Sequence, residues 1–188
     1  MSINEAIQKL EEEMRRGGIF PEQGLGEELF LFSSTLAPVI NTDLLITDKD
    51  ERVLLSWRND SFHHPGWHVP GTCIRFRETF EQSIRRCARD ELRTKIDFSP
   101  EPIKVYEMIR ETNMIGIANR EKRTHFITLV FACRLAREGK VFSEDELELK
   151  PGTLKWFQGM PENMTTGQEC YQRDWDLLLE KIRKTQRE

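Results

Sequence analysis

The chain has 188 residues, enough for one domain of ordinary size with a short extension. Charged residues make up 32% and hydrophobic residues 38%, a balance that supports a packed core and excludes wholesale disorder. The formal net charge of -4 argues against a nucleic-acid-binding protein with a broad basic surface. A polyanionic ligand would therefore need local arginines or a metal ion.

The sequence also predicts a cytoplasmic protein with no membrane partner. Its N-terminus lacks the pattern of a signal peptide, and no apolar run is long enough to span a bilayer. The four cysteines are scattered without a CxxC pair, which is typical of cytosolic thiols rather than of a zinc site or a disulfide framework. They are Cys73, Cys87, Cys133 and Cys170.

The first 36 residues predict an extension, a cap or a dimer arm, ahead of a main domain over residues 37–188. Apolar residues at helical spacing from Ile3 to Met14 predict an amphipathic helix, which ends at Gly17. The alternation at residues 30–32 predicts a short strand.

Strands and helices alternate through the main domain. The patterns predict a strand pair at 40–47 and 53–57, a short strand at 67–69, a helix at 79–93, strands at 103–109, 125–133 and 154–157, and a helix around 175–182. The segment 125–133 is apolar on both faces, as is typical of a central strand. This order predicts a layered α/β/α domain.

One stretch carries most of the chemistry: PGTCIRFRETFEQSIRRCARDEL, at residues 70–92. A Pro-Gly turn can present a backbone carbonyl, and Glu91 lies on the same inward side of the helix as Ile84 and Cys87. Oxygen ligands suit Mg²⁺, which leaves room for substrate phosphates. An unpaired carboxylate on that side is costly, so a metal ion or an arginine is expected to face it. The alternative is a solvated, charged helix face.

The same stretch resembles the Nudix box, written Gx5Ex7REUxEExGU, where U is a bulky apolar residue. Glu78 stands at the first Glu and Arg86 at the Arg, and Asp90 and Glu91 stand at the paired acidic positions. The spacing between these positions is that of the box throughout.

Several positions depart from the box. Thr72 replaces the first Gly, Cys87 replaces the Glu after the Arg, and Arg93 replaces the second Gly. The flanks strengthen the resemblance, because they have the order found around Nudix boxes: NTDLLITDKDERVLLSWRND, then PGWHVPG, and later LKWF with MPENM. The resemblance covers residues 38–162 and implies a Nudix-type α/β/α sandwich with a mixed β-sheet.

Within this family the chain is most similar to GDP-mannose mannosyl hydrolases, whose box also lacks that Glu. The resemblance implies a Mg²⁺-dependent hydrolase, with Mn²⁺ as a substitute, of a nucleoside diphosphate linked to another moiety. The favoured substrate is a nucleotide sugar such as GDP-mannose. It also implies that Gly71, Glu91 and Asp90 hold the metal, that Arg58 binds the diphosphate and that Asp43 faces the sugar.

The residues themselves leave other roles open. Asp43 could cap a strand end, Arg58 could pair with Asp60 or Glu51, and Gly71 could be needed only for its turn. Two other functions are also open: attack at phosphorus, as in ordinary Nudix pyrophosphatases, and a non-catalytic nucleotide-binding module. A homodimer is a further expectation.

The late loop departs from the mannosyl hydrolases, which have a Gln metal ligand and a His base just before the last strand. Here the segment is LELKPGTLKW, where Glu146 or Glu148 could substitute. Several remaining features favour structural roles over chemistry. The histidines His63, His64 and His68 fit no zinc pattern, and His68 is expected to point outward. Trp67 is expected in the core, and Arg86 is expected to orient Glu78 or Glu91. The basic loop with Arg120, Lys122 and Arg123 is expected to be solvated.

Overall fold

The computed structural model describes residues 1–60, 63–109, 125–136 and 149–185. The predicted basic loop at 120–123 and the acidic substitutes Glu146 and Glu148 lie outside the described residues. The helices are α1 (Ile3–Arg16), α2 (Glu27–Ser33), α3 (Phe80–Cys87), α4 (Glu169–Arg173) and α5 (Trp175–Thr185). The strands are β1 (Val39–Ile46), β2 (Val53–Asp60), β3 (His63–His68), β4 (Gly71–Cys73), β5 (Ile96–Phe98), β6 (Lys104–Ile109), β7 (His125–Leu135) and β8 (Leu154–Phe157).

The N-terminal extension is helical. The prediction of α1 is confirmed, and a capping box joins Ser2 and Glu5 at its start. Its apolar stripe remains exposed, with Ile3 79% and Ile7 50% accessible, so its role as a cap or dimer arm stays a prediction. The predicted strand at residues 30–32 is wrong, because these residues belong to α2. Three alternating residues are too few to distinguish a strand from one helical turn.

The larger sheet is mixed. β1 and β7 run parallel, β4 pairs antiparallel with β1, and β5 and β6 pair antiparallel with β7. β7 is therefore central, as its apolar pattern predicts. The smaller sheet is antiparallel, with the strand order β3-β2-β8.

The predicted pairing of residues 40–47 with 53–57 is wrong, although both strands form. They belong to different sheets, and a single bridge between Thr47 and Val53 connects them. The carboxylate of Asp48 accepts the backbone N–H groups of Asp50 and Arg52 and shapes the intervening turn. Because β1 already has β4 and β7 on its two sides, the next strand must pair elsewhere.

Apolar clusters cover both faces of the larger sheet. On one face, Leu44 and Phe131 pack with Ile84 of α3. On the other face, Leu45 packs in one cluster with Leu178 of α5. The predicted α/β/α sandwich is thus confirmed. None of the helices in the described part of the chain combines the length and apolar composition that a membrane span requires.

Candidate active site

The site is built on the helix predicted at residues 79–93. α3 begins at an N-cap, Thr79, whose hydroxyl accepts the backbone N–H of Gln82 in a second capping box. A π-helical turn, Ala88–Leu92, follows α3 and carries Glu91. The helix ends at Arg93, which has a left-handed backbone with φ 51°. A π turn changes the direction of the side chains that follow it and is common at functional sites.

Arg86 orients Glu78, the first of its two predicted partners. Its Nε and Nη2 donate to the two Glu78 carboxylate oxygens at 2.6 and 2.8 Å. It also donates to the hydroxyl of Thr72 at 2.9 Å and to the carbonyl of Cys73 at 2.8 Å. Arg86 therefore joins the helix to β4, and it holds the pKa of Glu78 below its ordinary value.

Replacing Arg86 tests how much these hydrogen bonds stabilise the fold. We expect Arg86→Ala to lower the free energy of unfolding by about 2 kcal/mol, between the values for exposed and fully buried pairs. Because the folded pKa of Glu78 is depressed, its stabilising effect is present above the unfolded pKa and is lost as pH falls through the folded value. Urea unfolding at pH 7 and pH 3 should show a smaller difference between parent and variant at the lower pH. An equal difference at both pH values would contradict an ion-pair role.

Gly71 lies where β4 crosses Asp43. The two residues are register partners in the antiparallel pair of β4 and β1. A Cβ added to Gly71 would lie 2.2 Å from an oxygen of the Asp43 carboxylate, so only glycine fits this position. The neighbouring Leu44 N–H donates to the Pro70 carbonyl at 2.8 Å. Since bonded pairs alternate along an antiparallel ladder, the N–H and C=O of Gly71 point away from β1.

Asp43 is a buried carboxylate held by the C-terminal part of the chain. The hydroxyl of Tyr171 donates to its Oδ2 at 2.7 Å. The side chain of Gln168 also hydrogen-bonds it and accepts the backbone N–H of Val69 at 3.0 Å. Burial outweighs these bonds and raises the pKa of Asp43 to about 6.

Glu91 contacts the backbone of Gly71 from the side of the motif helix. Its carboxylate hydrogen-bonds the backbone of Gly71 and the thiol of Cys87. Burial, together with repulsion from Asp43, raises the pKa of Glu91 to about 7 despite the opposing effect of Arg58. Asp43 and Glu91, the two site carboxylates, are thus both desolvated and act on each other.

Arg58 lies close enough to lower the pKa of both site carboxylates. Its Nε also donates to Asp60, so the alternative pairing with Asp60 is present in the same structure. The pairing with Glu51 is not formed, because Glu51 is bound by Arg183 at 2.6 Å. Arg58 is 36% exposed and remains accessible to a ligand.

Two cavities share Arg58 and His68 in their linings. The small cavity, of about 80 Å³, is mainly polar, and Asp43 and Gly71 line it. The large cavity, of about 630 Å³, is lined by Glu91 and also by Trp57, Asn59, Asp90 and Pro151. Arg58 can therefore contact a ligand that occupies both cavities.

The other predicted residues have mixed outcomes. Asp90 lines the large cavity, where its carboxylate pairs with Arg89 at 2.8 Å, and its metal role stays a prediction. Trp67 lies in the core, as predicted. The outward orientation of His68 is wrong, since the ring is 7% exposed and its Nδ1 donates to the carbonyl of Val69 at 2.9 Å. Burial and Arg58 lower the pKa of His68 to about 3, so the ring is neutral.

The oxygen groups at Gly71 fit a hard divalent cation. Two desolvated carboxylates that repel each other are stabilised by a positive ion between them. The carbonyl of Gly71 points away from β1, as does the N–H that meets Glu91. Among the described residues, no three His, Cys, Asp or Glu side chains are grouped to hold a metal. The two carboxylates and the Gly71 carbonyl suit Mg²⁺, because this ion keeps several waters and substrate phosphates as its other ligands.

Comparison with known proteins identifies the family. The model of the NUDIX domain family matches residues 37–158. The chain belongs to the Nudix family. A comparison with curated proteins finds no match.

Solved Nudix structures share the fold at low identity. A UDP-X diphosphatase is 15% identical with a TM-score of 0.52, covering 96% of this chain and 80% of that chain. A MutT NUDIX hydrolase from Burkholderia pseudomallei is 19% identical with a TM-score of 0.50, covering 73% and 97%. A NUDIX family hydrolase from Clostridium perfringens is 17% identical with a TM-score of 0.50, covering 76% and 99%. These values show a common fold.

The Nudix box of this chain keeps its architecture despite its substitutions. Arg93, at the second Gly position, has the left-handed backbone that favours glycine. Cys87, at the missing Glu position, is buried, and burial raises the pKa of its thiol well above the ordinary value. A protonated thiol is a poor ligand for Mg²⁺, so Glu91 remains the box carboxylate that meets Gly71.

Sequence patterns did not predict the residues that hold Asp43. Tyr171 and Gln168 lie beyond the segment that matches the Nudix family, more than 120 residues from Asp43. Neither belongs to a motif, and the helix that carries Tyr171 is only five residues long. The available signal was the aromatic residue at 171 close to the predicted final helix, which is equally typical of a core position.

Proposed function

We propose that this chain is a Mg²⁺-dependent Nudix hydrolase of a nucleoside diphosphate linked to another moiety, with a nucleotide sugar such as GDP-mannose as the favoured substrate. One observation carries the proposal: Asp43 and Glu91, both desolvated, converge on the backbone of Gly71 beside Arg58. Hydrolysis of a diphosphate derivative requires oxygen ligands for a metal ion, a base for the attacking water and a positive charge near the phosphates.

Each residue has a separate role in the proposed reaction. Glu91 and the carbonyl of Gly71 would hold the metal. A bound Mg²⁺ would neutralise the diphosphate and make it a better leaving group. Arg58 donates hydrogen bonds to the diphosphate as negative charge develops. Asp43, with a pKa of about 6, is mostly ionised at neutral pH and accepts a proton from the attacking water.

The bond that breaks is tested with labelled water. With GDP-mannose in H2¹⁸O, attack at the sugar carbon places ¹⁸O in the free sugar, and mass spectrometry of both products measures it. We expect the label in the sugar. Label in a nucleotide phosphate would instead establish a pyrophosphatase, the activity class of the second candidate.

A substrate panel separates an enzyme from a binding module. It contains nucleotide sugars and dinucleoside polyphosphates, each assayed with Mg²⁺ and with excess chelator. We expect at least one compound to be hydrolysed in Mg²⁺ and not in chelator. Binding of nucleotides without any product would refute the hydrolase and leave a nucleotide-binding Nudix module.

A further inference from the structure

Two residues that line the small cavity each carry a buried polar atom without a partner in the described part of the chain. The carboxamide oxygen of Asn41 and the hydroxyl of Thr128 have no hydrogen-bond partner among the residues that the structure describes. Asn41 and Thr128 are register partners on the parallel strands β1 and β7, and both line the small cavity. Thr128 is 1% exposed. Leaving such groups unpaired in a folded protein is costly, so an adjacent pair beside a cavity favours a ligand there.

The chemistry of these atoms narrows the ligand. A carboxamide oxygen can only accept a hydrogen bond, whereas a threonine hydroxyl donates and accepts. An ionised phosphate has only acceptors and cannot satisfy the oxygen of Asn41. A ligand hydroxyl can satisfy both residues, and neighbouring hydroxyls on one ring suit two strands that lie about 4.8 Å apart.

The position and size of the small cavity point to one part of the substrate. Asn41 and Asp43 lie two residues apart on β1, so their side chains share a face of the sheet. The small cavity, of about 80 Å³, suits a smaller group than a nucleoside. The large cavity of about 630 Å³, across Arg58, has room for one.

We propose that Asn41 and Thr128 form a subsite that binds hydroxyl groups of the glycosyl moiety of the substrate. The subsite rests on the proposed function, because it takes the second moiety of a nucleoside diphosphate derivative. The diphosphate lies at Arg58 and the nucleoside in the large cavity.

Thr128→Val tests the subsite, since valine keeps the shape of threonine and removes its hydroxyl. The probes are GDP-mannose and UDP-glucose, each compared with GDP or UDP in Mg²⁺. Stopped-flow tryptophan fluorescence, to which Trp57 in the lining of the large cavity contributes, measures binding before turnover. We expect Kd for the nucleotide sugars to rise about 10-fold and Kd for the diphosphates to stay within about 2-fold. Thr128→Ser keeps a hydroxyl and should bind the nucleotide sugars more tightly than Thr128→Val does.

Stability and a matched control distinguish this role from a structural one. The Tm of Thr128→Val should equal or exceed that of the parent, because an unpaired hydroxyl is removed. Thr47 is also buried, and its hydroxyl has no partner in the described residues, but it does not line the small cavity. Thr47→Val should therefore raise or preserve Tm and leave every Kd unchanged.

The outcomes separate the subsite from the proposed function. The glycosyl subsite is refuted if Thr128→Val weakens the binding of diphosphates as much as that of nucleotide sugars, or weakens the binding of neither. It is also refuted if the parent binds no nucleotide sugar. Hydrolysis of dinucleoside compounds would then still support the hydrolase. A loss confined to nucleotide sugars in a chain that hydrolyses nothing would support the subsite and refute the hydrolase.

Discussion

Glu91→Gln should lower metal-dependent kcat by about 10³-fold while Tm stays within a few degrees of the parent value. The carboxylate is the only charged group of the Nudix box that meets Gly71 among the described residues, so its loss removes the main side-chain ligand for Mg²⁺. Calorimetric titration of Mn²⁺ and steady-state kinetics measure the two effects. Normal turnover and metal binding in the variant would make Glu91 a structural carboxylate.

The pH dependence of stability gives a second test of Glu91. Its folded pKa, about 7, is higher than the ordinary value of 4.5, so without metal the unfolded chain releases its proton first. The contribution of Glu91 to the free energy of unfolding should therefore fall as pH rises from 4.5 to 7. Glu91→Gln lacks this loss, and its Tm at pH 8 should equal or exceed that of the parent.

Cys87→Glu is the matched gain-of-charge variant. It restores the carboxylate of the Nudix box next to Glu91, where the thiol now hydrogen-bonds that residue. We expect tighter Mn²⁺ binding without substrate, and a lower Tm in chelator because two buried carboxylates then repel each other. Unchanged metal affinity would show that position 87 does not face the ion.

Arg58→Ala should lower kcat by about 10²-fold or more, because the guanidinium stabilises charge that develops on the diphosphate leaving group. Arg58→Lys should recover part of the loss, since an ammonium keeps the charge but not the two-pronged geometry. Steady-state kinetics on the best substrate of the panel measure both variants.

Arg183→Ala is the control for Arg58. Arg183 is also an arginine in an ion pair, with Glu51, and it lines neither cavity. Its removal should leave kcat unchanged. If folded Arg58→Ala also keeps the parent kcat, Arg58 serves only as the ion-pair partner of Asp60.

The sequence predicted the elements of this fold better than their partners. The apolar pattern of β7 and the helical spacing after Thr79 were strong local signals, and both elements form. Pairing was not local: β1 and β2 follow each other along the chain but enter different sheets. Loop geometry alone cannot show that β1 is already flanked on both sides.

The site was predictable where a motif or resemblance placed a residue. Arg58, Asp43, Gly71 and Glu91 were named in this way, and the fold brings them together. The environment of Asp43 was not predictable, because long-range packing creates it. The same holds for His68, which alternation placed outside and which is buried in the structure.

The attachment of Asp43 to Tyr171 has a consequence for the order of synthesis. The carboxylate emerges early, whereas the residue that orients it emerges 128 positions later. A nascent chain that has just completed the family-matched segment, at residue 158, lacks this hydrogen bond and the apolar residues of α5. Such a chain would carry the whole Nudix box yet lack Tyr171, Leu178 and Ile182 from the apolar cluster on one face of its sheet. The growing polypeptide therefore gains its full site only when α4, which carries Tyr171, docks.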